Sequence, residues 1–272
     1  CSGMTTSTLV VIPEHLSAFP ASILKILEEH KVTFLFWVPT IMVNIANMDL
    51  LSSIQLPALK TVWFAGEVFP TKQFNYWRKM LPQTTFANLY GPIEITLDCT
   101  CFIVNREIKD EESIPIGFPC RNTDILILDA DNKLVTEAGK EGELCVRGTS
   151  LAMGYYNNPE KTASAFVQNP LNHAYPETIY RTGDVVVINE RGEIVFKGRK
   201  DTLIKHMGYR TELGEIEHII INKLKLVKNG CVVYNFSKKE ITLFYESPEE
   251  ITPAEFRKRI GQELPKYMLP TV

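Results

Sequence analysis

Apolar and polar positions follow three different rhythms along the chain. Up to about residue 98, short apolar runs alternate with stretches that carry an apolar stripe at helical spacing. Thr8–Ile12, Val32–Val38, Thr61–Ala65 and Thr84–Leu89 read as strands. Pro20–His30 reads as a helix opened by proline, with Ile23, Leu24, Ile26 and Leu27 on one stripe. Thr71–Leu81 reads as a second helix, with Phe74, Trp77 and Leu81 on one side. Val32–Val38 is apolar throughout, the pattern of a strand buried on both faces. Helices set between such strands predict a parallel sheet with crossover connections.

From Cys99 to Lys197 the rhythm changes to short strands separated by turn residues. Thr123–Leu128 precedes a turn at Asp129–Asn132, and Gly142–Arg147 follows. Asp184–Ile188 and Glu193–Lys197 flank Asn189–Gly192, a hairpin signal. A third rhythm begins near Gly198. Glu212–Leu224 reads as an amphipathic helix with Ile216, Ile219, Ile220 and Leu224 on one stripe. Cys231–Phe236 and Ile241–Tyr245 read as strands around a turn at Ser237–Lys239. Pro253–Leu264 reads as a helix with Thr252 as N-cap, Pro253 at its first position and Glu255 completing a capping box. The expected organisation is part of an α/β core over 1–100, a β-rich, barrel-like subdomain over 101–198 and a small, truncated α+β lid over 199–272.

Composition narrows the function classes. A chain of 272 residues holds one large domain or two ordinary ones at ~100–200 residues each. With 45% hydrophobic and 22% charged residues it is an ordinary globular sequence. The net charge of −3 supplies no basic field for nucleic acid. No apolar run reaches the ~18–20 residues of a membrane span, and Val32–Val38 stops at Pro39. Six cysteines do not make a disulfide scaffold, and Cys99 and Cys101 have no companion ligands nearby for a metal. Reduced, buried thiols are expected, which favours the cytoplasm. The chain opens on Cys1 without a signal peptide and reads as a piece of something longer.

Neither common glycine-rich nucleotide loop, nor a serine nucleophile elbow, nor a His-Glu-x-x-His zinc motif occurs. Three segments carry candidate chemistry. Asn88-Leu89-Tyr90-Gly91-Pro92-Ile93-Glu94 ends a strand with an aromatic, a Gly-Pro turn and a carboxylate. Ligands of open α/β sheets bind beyond such strand ends, where an exposed Tyr90 ring could stack on a base and Glu94 could hold Mg²⁺ on phosphates. The alternative is a plain turn with Tyr90 as packing. Tyr180-Arg181-Thr182-Gly183-Asp184 places a carboxylate just before a Val-Val-Val strand. Asp184 could accept both hydroxyls of a vicinal diol, or merely cap a turn. Gly198-Arg199-Lys200-Asp201 through Lys205, Gly208, Arg210, Glu212 and Glu217 is either a solvated linker or a hinge.

Taken together and in order, these segments resemble motifs of the adenylate-forming superfamily of acyl-CoA ligases, luciferases and nonribosomal adenylation domains. Asn88–Glu94 is similar to its Asn-x-Tyr-Gly-Pro-Thr-Glu motif and Tyr180–Asp184 to its Tyr-Arg-Thr-Gly-Asp motif. Gly142-Glu143-Leu144, Gly154-Tyr155 and Asn158–Thr162 resemble the segment between them. Gly198–Glu217 resembles its hinge region and Leu264–Pro270 its Leu-Pro-x-Tyr-Met-x-Pro. Phe64–Pro70 and Lys205–Glu217 look most like D-alanine–carrier-protein ligases.

The resemblance implies ATP and Mg²⁺, an amino-acid substrate and a phosphopantetheinylated carrier protein as partner. It implies a carboxylate attack on the α-phosphate, capture of the adenylate by the carrier thiol, and rotation of a small C-terminal domain between the two steps. Carried onto this chain, Tyr90 stacks on adenine, Asn88 bonds its edge, and Leu89, Gly91, Pro92 and Ile93 shape the loop. Glu94 holds Mg²⁺. Asp184 and Arg199 bind the ribose, with Phe196, Lys197 and Gly198 lining that side. Val62, Phe64, Ala65, Leu89, Leu97, Asp98 and Trp37 form the substrate pocket. Asp201 is the hinge and Gly208 flanks the pantetheine channel. Ile93 stands where the family carries a threonine hydroxyl, and Ala65 where relatives carry glycine or cysteine. The family's phosphate loop lies upstream of Cys1 and its terminal lysine beyond Val272, so this stretch alone is expected to be inactive. Two alternatives stay open: an acyl-CoA ligase acting on a fatty or aryl acid, and a degenerate module kept as a scaffold or nucleotide-binding protein.

Overall fold

A computed structural model of the protein describes residues 7–17, 19–200, 203–247 and 251–270. The chain forms two compact units, Cys1–Gly198 and Arg199–Val272. The first begins with a five-stranded sheet in the order β1-β2-β3-β4-β5. β1 (Phe34–Trp37), β2 (Thr61–Phe64) and β3 (Thr85–Tyr90) run parallel. β4 (Thr100–Ile103) and β5 (Phe118–Pro119) add antiparallel strands, so the sheet continues past residue 100. Helix Pro20–Glu29 leads into β1, and helices Pro39–Asn47 and Thr71–Met80 connect the parallel strands. Their buried stripes, including Leu24, Leu27, Met42, Ile45, Phe74 and Trp77, form one core with Leu35, Val62, Phe64, Phe86 and Phe102 of the sheet. Each such side chain contributes about 1.5–3 kcal/mol on full burial. The Trp77 indole spends its only donor inside that core, on the Met42 carbonyl at 2.9 Å.

Two strand expectations are corrected here. Thr8–Ile12 is not a strand. Leu9 and Val11 are exposed, and no strand among the described residues pairs with the segment. An apolar run becomes a strand only when a neighbour takes its backbone hydrogen bonds. β1, in turn, is not buried on both faces: Leu35 is buried, whereas Phe34 and Phe36 are exposed. Phe36 and Trp63 are in register, and with Phe34 they form an edge-to-face aromatic cluster. The helices cover the other face of these strands, where Leu35 and Val62 join the core.

The second sheet is antiparallel, in the order β10-β9-β7-β6, with β8 also paired to β9. It comprises β6 (Thr123–Leu128), β7 (Glu141–Gly148), β8 (Phe166–Gln168), β9 (Thr178–Ile188) and β10 (Ile194–Arg199). β9 starts six residues before Asp184, which therefore lies within the strand and not just before it. The Asn189 side chain accepts from the Arg191 and Glu193 amides and closes the β9–β10 turn. Ile127, Leu144, Val146, Tyr180, Val186 and Ile194 of this sheet share a core with Tyr90 of β3 and with Ile95 and Cys99 of the loop between β3 and β4.

The second unit contains two hairpins and a helical layer. β11 (Leu203–His206) and β12 (Tyr209–Glu212) turn at Met207-Gly208, both at positive φ (52° and 83°). β13 (Asn229–Asn235) pairs with β14 (Glu240–Glu246). The predicted helix 212–224 is an α-helix only over Leu213–Glu217 and widens to a π-helix over His218–Lys223. The wider turn starts just before three consecutive β-branched residues, Ile219–Ile221, which crowd an α-helical turn. Ile216 and Ile220 still reach the core with Phe256, Ile260 and Leu264. The last helix runs Pro253–Ile260, shorter than predicted, and Thr252 caps it by accepting from the Glu255 amide. No helix among the described residues is long and apolar enough to cross a membrane.

Candidate functional site

The site is built around the carboxyl end of β3. Tyr90 ends the strand and Gly91 starts the turn. A Cβ at Gly91 would stand 2.3 Å from the Leu97 carbonyl oxygen and 2.5 Å from the Asp98 Cα, so only glycine fits. The chain then folds back through a short 3-10 turn, Ile93–Ile95. Thr96 sits at φ 81°, a strained conformation for a β-branched residue, and its hydroxyl bonds the Ser150 carbonyl at 2.8 Å. The Ala152 amide donates to the Glu94 carbonyl at 2.8 Å. Loop 91–98 is thereby fastened to segment 150–155.

Asp184 arrives from the second sheet. Its strand is interrupted opposite β7 by a register shift between Glu143 and Cys145. Glu143 fills the irregularity: it takes the Arg181 guanidinium at 2.9 and 2.6 Å and the Gly183 amide at 3.1 Å. The Thr182 hydroxyl donates to the Leu144 carbonyl at 2.7 Å and accepts the Asp184 amide at 3.0 Å. Gly183 takes φ 72° at this point. The result aims the Asp184 carboxylate at Tyr90, whose hydroxyl donates to it. Both side chains are buried. Burial, then the neighbouring Asp184 charge, push the Tyr90 phenol well above its ordinary pKa. Phe196 of β10 lies against the Tyr90 ring, centroids 6.5 Å apart.

Tyr90, Asp184 and Phe196 are thus brought together from β3, β9 and β10, with Glu94 in the turn that follows β3. The Tyr90 ring is not the exposed platform that the sequence predicts, because its hydroxyl reaches inward to Asp184. Asn88 is buried as well and donates to the Pro115 carbonyl at 2.8 Å. Glu94 is 4% exposed and accepts from the Tyr155 hydroxyl at 2.6 Å. Ile93 is 77% exposed at the rim of the loop, beside Pro92. Lys197 and Gly198 continue β10 from Phe196, and Arg199 opens the second unit.

The expected pocket residues are spread out. Val62 and Phe64 are fully buried on the helical side of the sheet, with Phe64 against Phe69 and Phe74. Ala65 donates its amide to the Trp37 carbonyl at 3.3 Å. Leu89 is buried, Asp98 partly so, and Leu97 is exposed. Gly208 occupies the β11–β12 turn of the second unit. Asp201 lies outside the described residues.

Three supporting residues were legible only as members of motifs. Glu143 is an acid directly before the apolar run Leu144-Cys145-Val146 on the same strand, and that mismatch marks it. Tyr155 has no local signal for its partner, 61 positions away. Glu67 follows Gly66 at φ 94° and accepts from both the amide and the hydroxyl of Thr40, at 2.8 and 2.5 Å. It thereby ties the loop after β2 to the first turn of helix Pro39–Asn47, where the helix dipole favours a carboxylate.

A sequence profile described as "AMP-binding enzyme" matches residues 1–156. The chain is 33% identical over 267 residues to zwittermicin A synthase ZmaJ from Bacillus cereus, covering 96% of this chain and 50% of that protein. It is 31% identical over 266 residues to an L-proline--[L-prolyl-carrier protein] ligase from Streptomyces coelicolor, covering 96% of this chain and 48% of that protein. Among solved structures it is similar to the adenylation domain AlmE of Vibrio cholerae, crystallised with glycyl-adenosine-5'-phosphate. That likeness has a TM-score of 0.84 at 26% identity, over 96% of this chain and 49% of the other. The chain therefore spans about half the length of these relatives.

Proposed function

This chain belongs to the AMP-binding enzyme family, and from that premise we propose that the whole protein adenylates an amino acid with ATP and passes it to a carrier-protein thiol. The observation that carries the reading is the buried Tyr90–Asp184 pair at the end of β3, whose following turn carries the buried Glu94. The glycyl-adenylate held by AlmE and the prolyl-carrier activity named for the Streptomyces relative support an amino-acid substrate and a carrier partner.

In this reading Asp184 receives the ribose hydroxyls. Tyr90 and Asn88 stand on the adenine side, with Phe196, Lys197 and Gly198 along the ribose edge and Arg199 as its cationic partner. Ala65, Leu97, Asp98 and Trp37 shape the amino-acid side, with Val62 and Phe64 supporting it only from within the helix-covered core. Asp201 serves as the hinge, and Gly208 leaves room for pantetheine. Mg²⁺ keeps several waters and binds through one or two carboxylates plus substrate phosphates. A buried carboxylate on the turn beside the nucleotide site fits that demand, and Glu94 is the residue that would hold the ion. When bound, magnesium supplies charge neutralisation on the phosphates.

The test is ATP–pyrophosphate exchange by the full-length protein, with pooled L- and D-amino acids against pooled fatty and aryl acids. Exchange with amino acids alone supports the reading, and exchange with the acid pool alone would replace it with an acyl-CoA ligase. A second reading, a module that binds nucleotide without turning it over, is favoured by the exposed Ile93. A missing transition-state donor lowers rates by about 10²–10³-fold. On that reading Ile93→Thr raises exchange by a similar factor.

A further inference from the structure

Glu94 is held from two directions by one segment. Its backbone carbonyl accepts the Ala152 amide at 2.8 Å, and its Oε1 accepts the Tyr155 hydroxyl at 2.6 Å. Tyr155 is itself fixed on several sides. Its amide donates to the Thr162 hydroxyl at 2.9 Å, and its ring lies edge-on to Phe166 at 5.8 Å with the Lys161 ammonium 5.1 Å from its centroid. Thr162 belongs to helix Pro159–Ala165, which Asn158 caps by accepting the Lys161 amide at 3.0 Å. Gly154 lets the chain pass close to that helix: a Cβ there would lie 2.4 Å from the Thr162 Cγ2.

The ring contacts account for the packing of Tyr155, but not for its hydroxyl. A phenylalanine would pack the same way. The hydroxyl does one further thing, which is to fix which way the buried Glu94 carboxylate faces. A metal-binding carboxylate needs this, because partners of metal ligands set ligand orientation and tune metal affinity.

We propose that Tyr155 is a positioning residue for the divalent cation of the nucleotide, acting through its hydrogen bond to Glu94. The inference rests on the reading of Glu94 as the metal carboxylate given above. It assigns to the Gly154-Tyr155 segment a role in metal affinity, distinct from any contact with the nucleotide.

The test is Mn²⁺ binding to the full-length protein, in place of Mg²⁺, followed by the electron paramagnetic resonance of free Mn²⁺. A non-hydrolysable α,β-methylene ATP analogue is present throughout. Tyr155→Phe is expected to raise the Mn²⁺ dissociation constant about 10–100-fold, while affinity for the analogue without metal stays unchanged. Glu94→Asp keeps the charge but draws the carboxylate back from Tyr155. In that background Tyr155→Phe is expected to have no further effect. If Glu94→Gln weakens Mn²⁺ binding and Tyr155→Phe does not, the inference is overturned and the role of Glu94 stands. The inference also falls if Tyr155→Phe costs the same factor in the Glu94→Asp background, since the effect then does not pass through Glu94. If Glu94→Gln leaves Mn²⁺ binding intact, the reading of Glu94 itself fails and takes the inference with it.

Discussion

The Tyr90 hydroxyl donates to the Asp184 carboxylate, and both side chains are buried although 94 positions separate them. One residue ends a strand of the parallel sheet and the other lies inside a strand of the antiparallel sheet. A hydrogen bond to a buried carboxylate is a cross-link between the two sheets, placed where the proposed nucleotide binds.

Removing that donor costs stability. Tyr90→Phe keeps the ring and its contacts but takes one donor from a buried carboxylate, at about 1–3 kcal/mol. The same substitution changes the alkaline limb. The folded-state pKa of Tyr90 is raised by burial and by Asp184. Its contribution is therefore complete below the unfolded tyrosine pKa of about 10 and is lost as pH rises above it toward the folded value. Urea unfolding at pH 8 and pH 10.5 should show wild-type stability falling between the two, and a smaller fall in Tyr90→Phe. Equal slopes in both proteins would contradict the assignment.

Glu143 governs how Asp184 is presented. Glu143→Ala strips the Arg181 guanidinium of its carboxylate and the Gly183 amide of its acceptor. Breaking such a largely buried pair from one side costs about 3–5 kcal/mol. Glu143→Gln keeps an acceptor oxygen for Gly183 and should recover part of the loss. Denaturant midpoints of the three proteins check this ordering.

Arg106 sets the acid limb. It bridges Glu193 at 2.8 Å and Glu112 at 2.5 Å, and its hydrogen bonds hold both carboxyls below the usual carboxylate range. Groups with depressed folded pKa values stabilise above the unfolded value of about 4.3 and lose that contribution as pH falls through the folded one. Melting temperatures from pH 7 to pH 3 should fall in the wild type. Arg106→Met should melt lower at pH 7 and change less with acid.

Gly91 has no room for a side chain. Gly91→Ala forces the Leu97–Asp98 backbone to move, and overpacking of this kind costs about 1–3 kcal/mol. The loss should be accompanied by slower exchange in the full-length protein, because the displaced loop carries Glu94. Gly139→Ala, whose Cβ meets nothing within 4 Å, is the control for backbone strain alone, since Gly139 sits at φ 81°.

Much of the architecture could be read from periodicity alone. The helices at Pro20–Glu29 and Thr71–Met80 carry their own apolar stripes, and the first is opened by its proline. Thr8–Ile12 misleads because strand formation depends on a partner, which a local pattern does not contain. β9 runs longer than its pattern predicts because Arg181, Thr182 and Asp184 look like a turn, and the Glu143 side chain on β7 shows why charged residues sit inside that strand. The individual site residues were legible as motifs. Their pairings were not: Tyr90 with Asp184 and Tyr155 with Glu94 join segments that approach each other only in the folded chain. The buried state of Tyr90 follows from the first of these pairings and was therefore hidden with it.

The central claim is that the Tyr90–Asp184 pair marks a nucleotide site. Calorimetric titration of AMP into this chain, as wild type, Tyr90→Ala and Asp184→Ala, tests it most directly. The account predicts that wild type binds and that Asp184→Ala, which removes the charged acceptor for the ribose, loses about 1.5–3 kcal/mol, roughly 10–150-fold in affinity, with Tyr90→Ala, which releases the Asp184 carboxylate, also weakened. Folded variants that bind AMP as tightly as the wild type would contradict it.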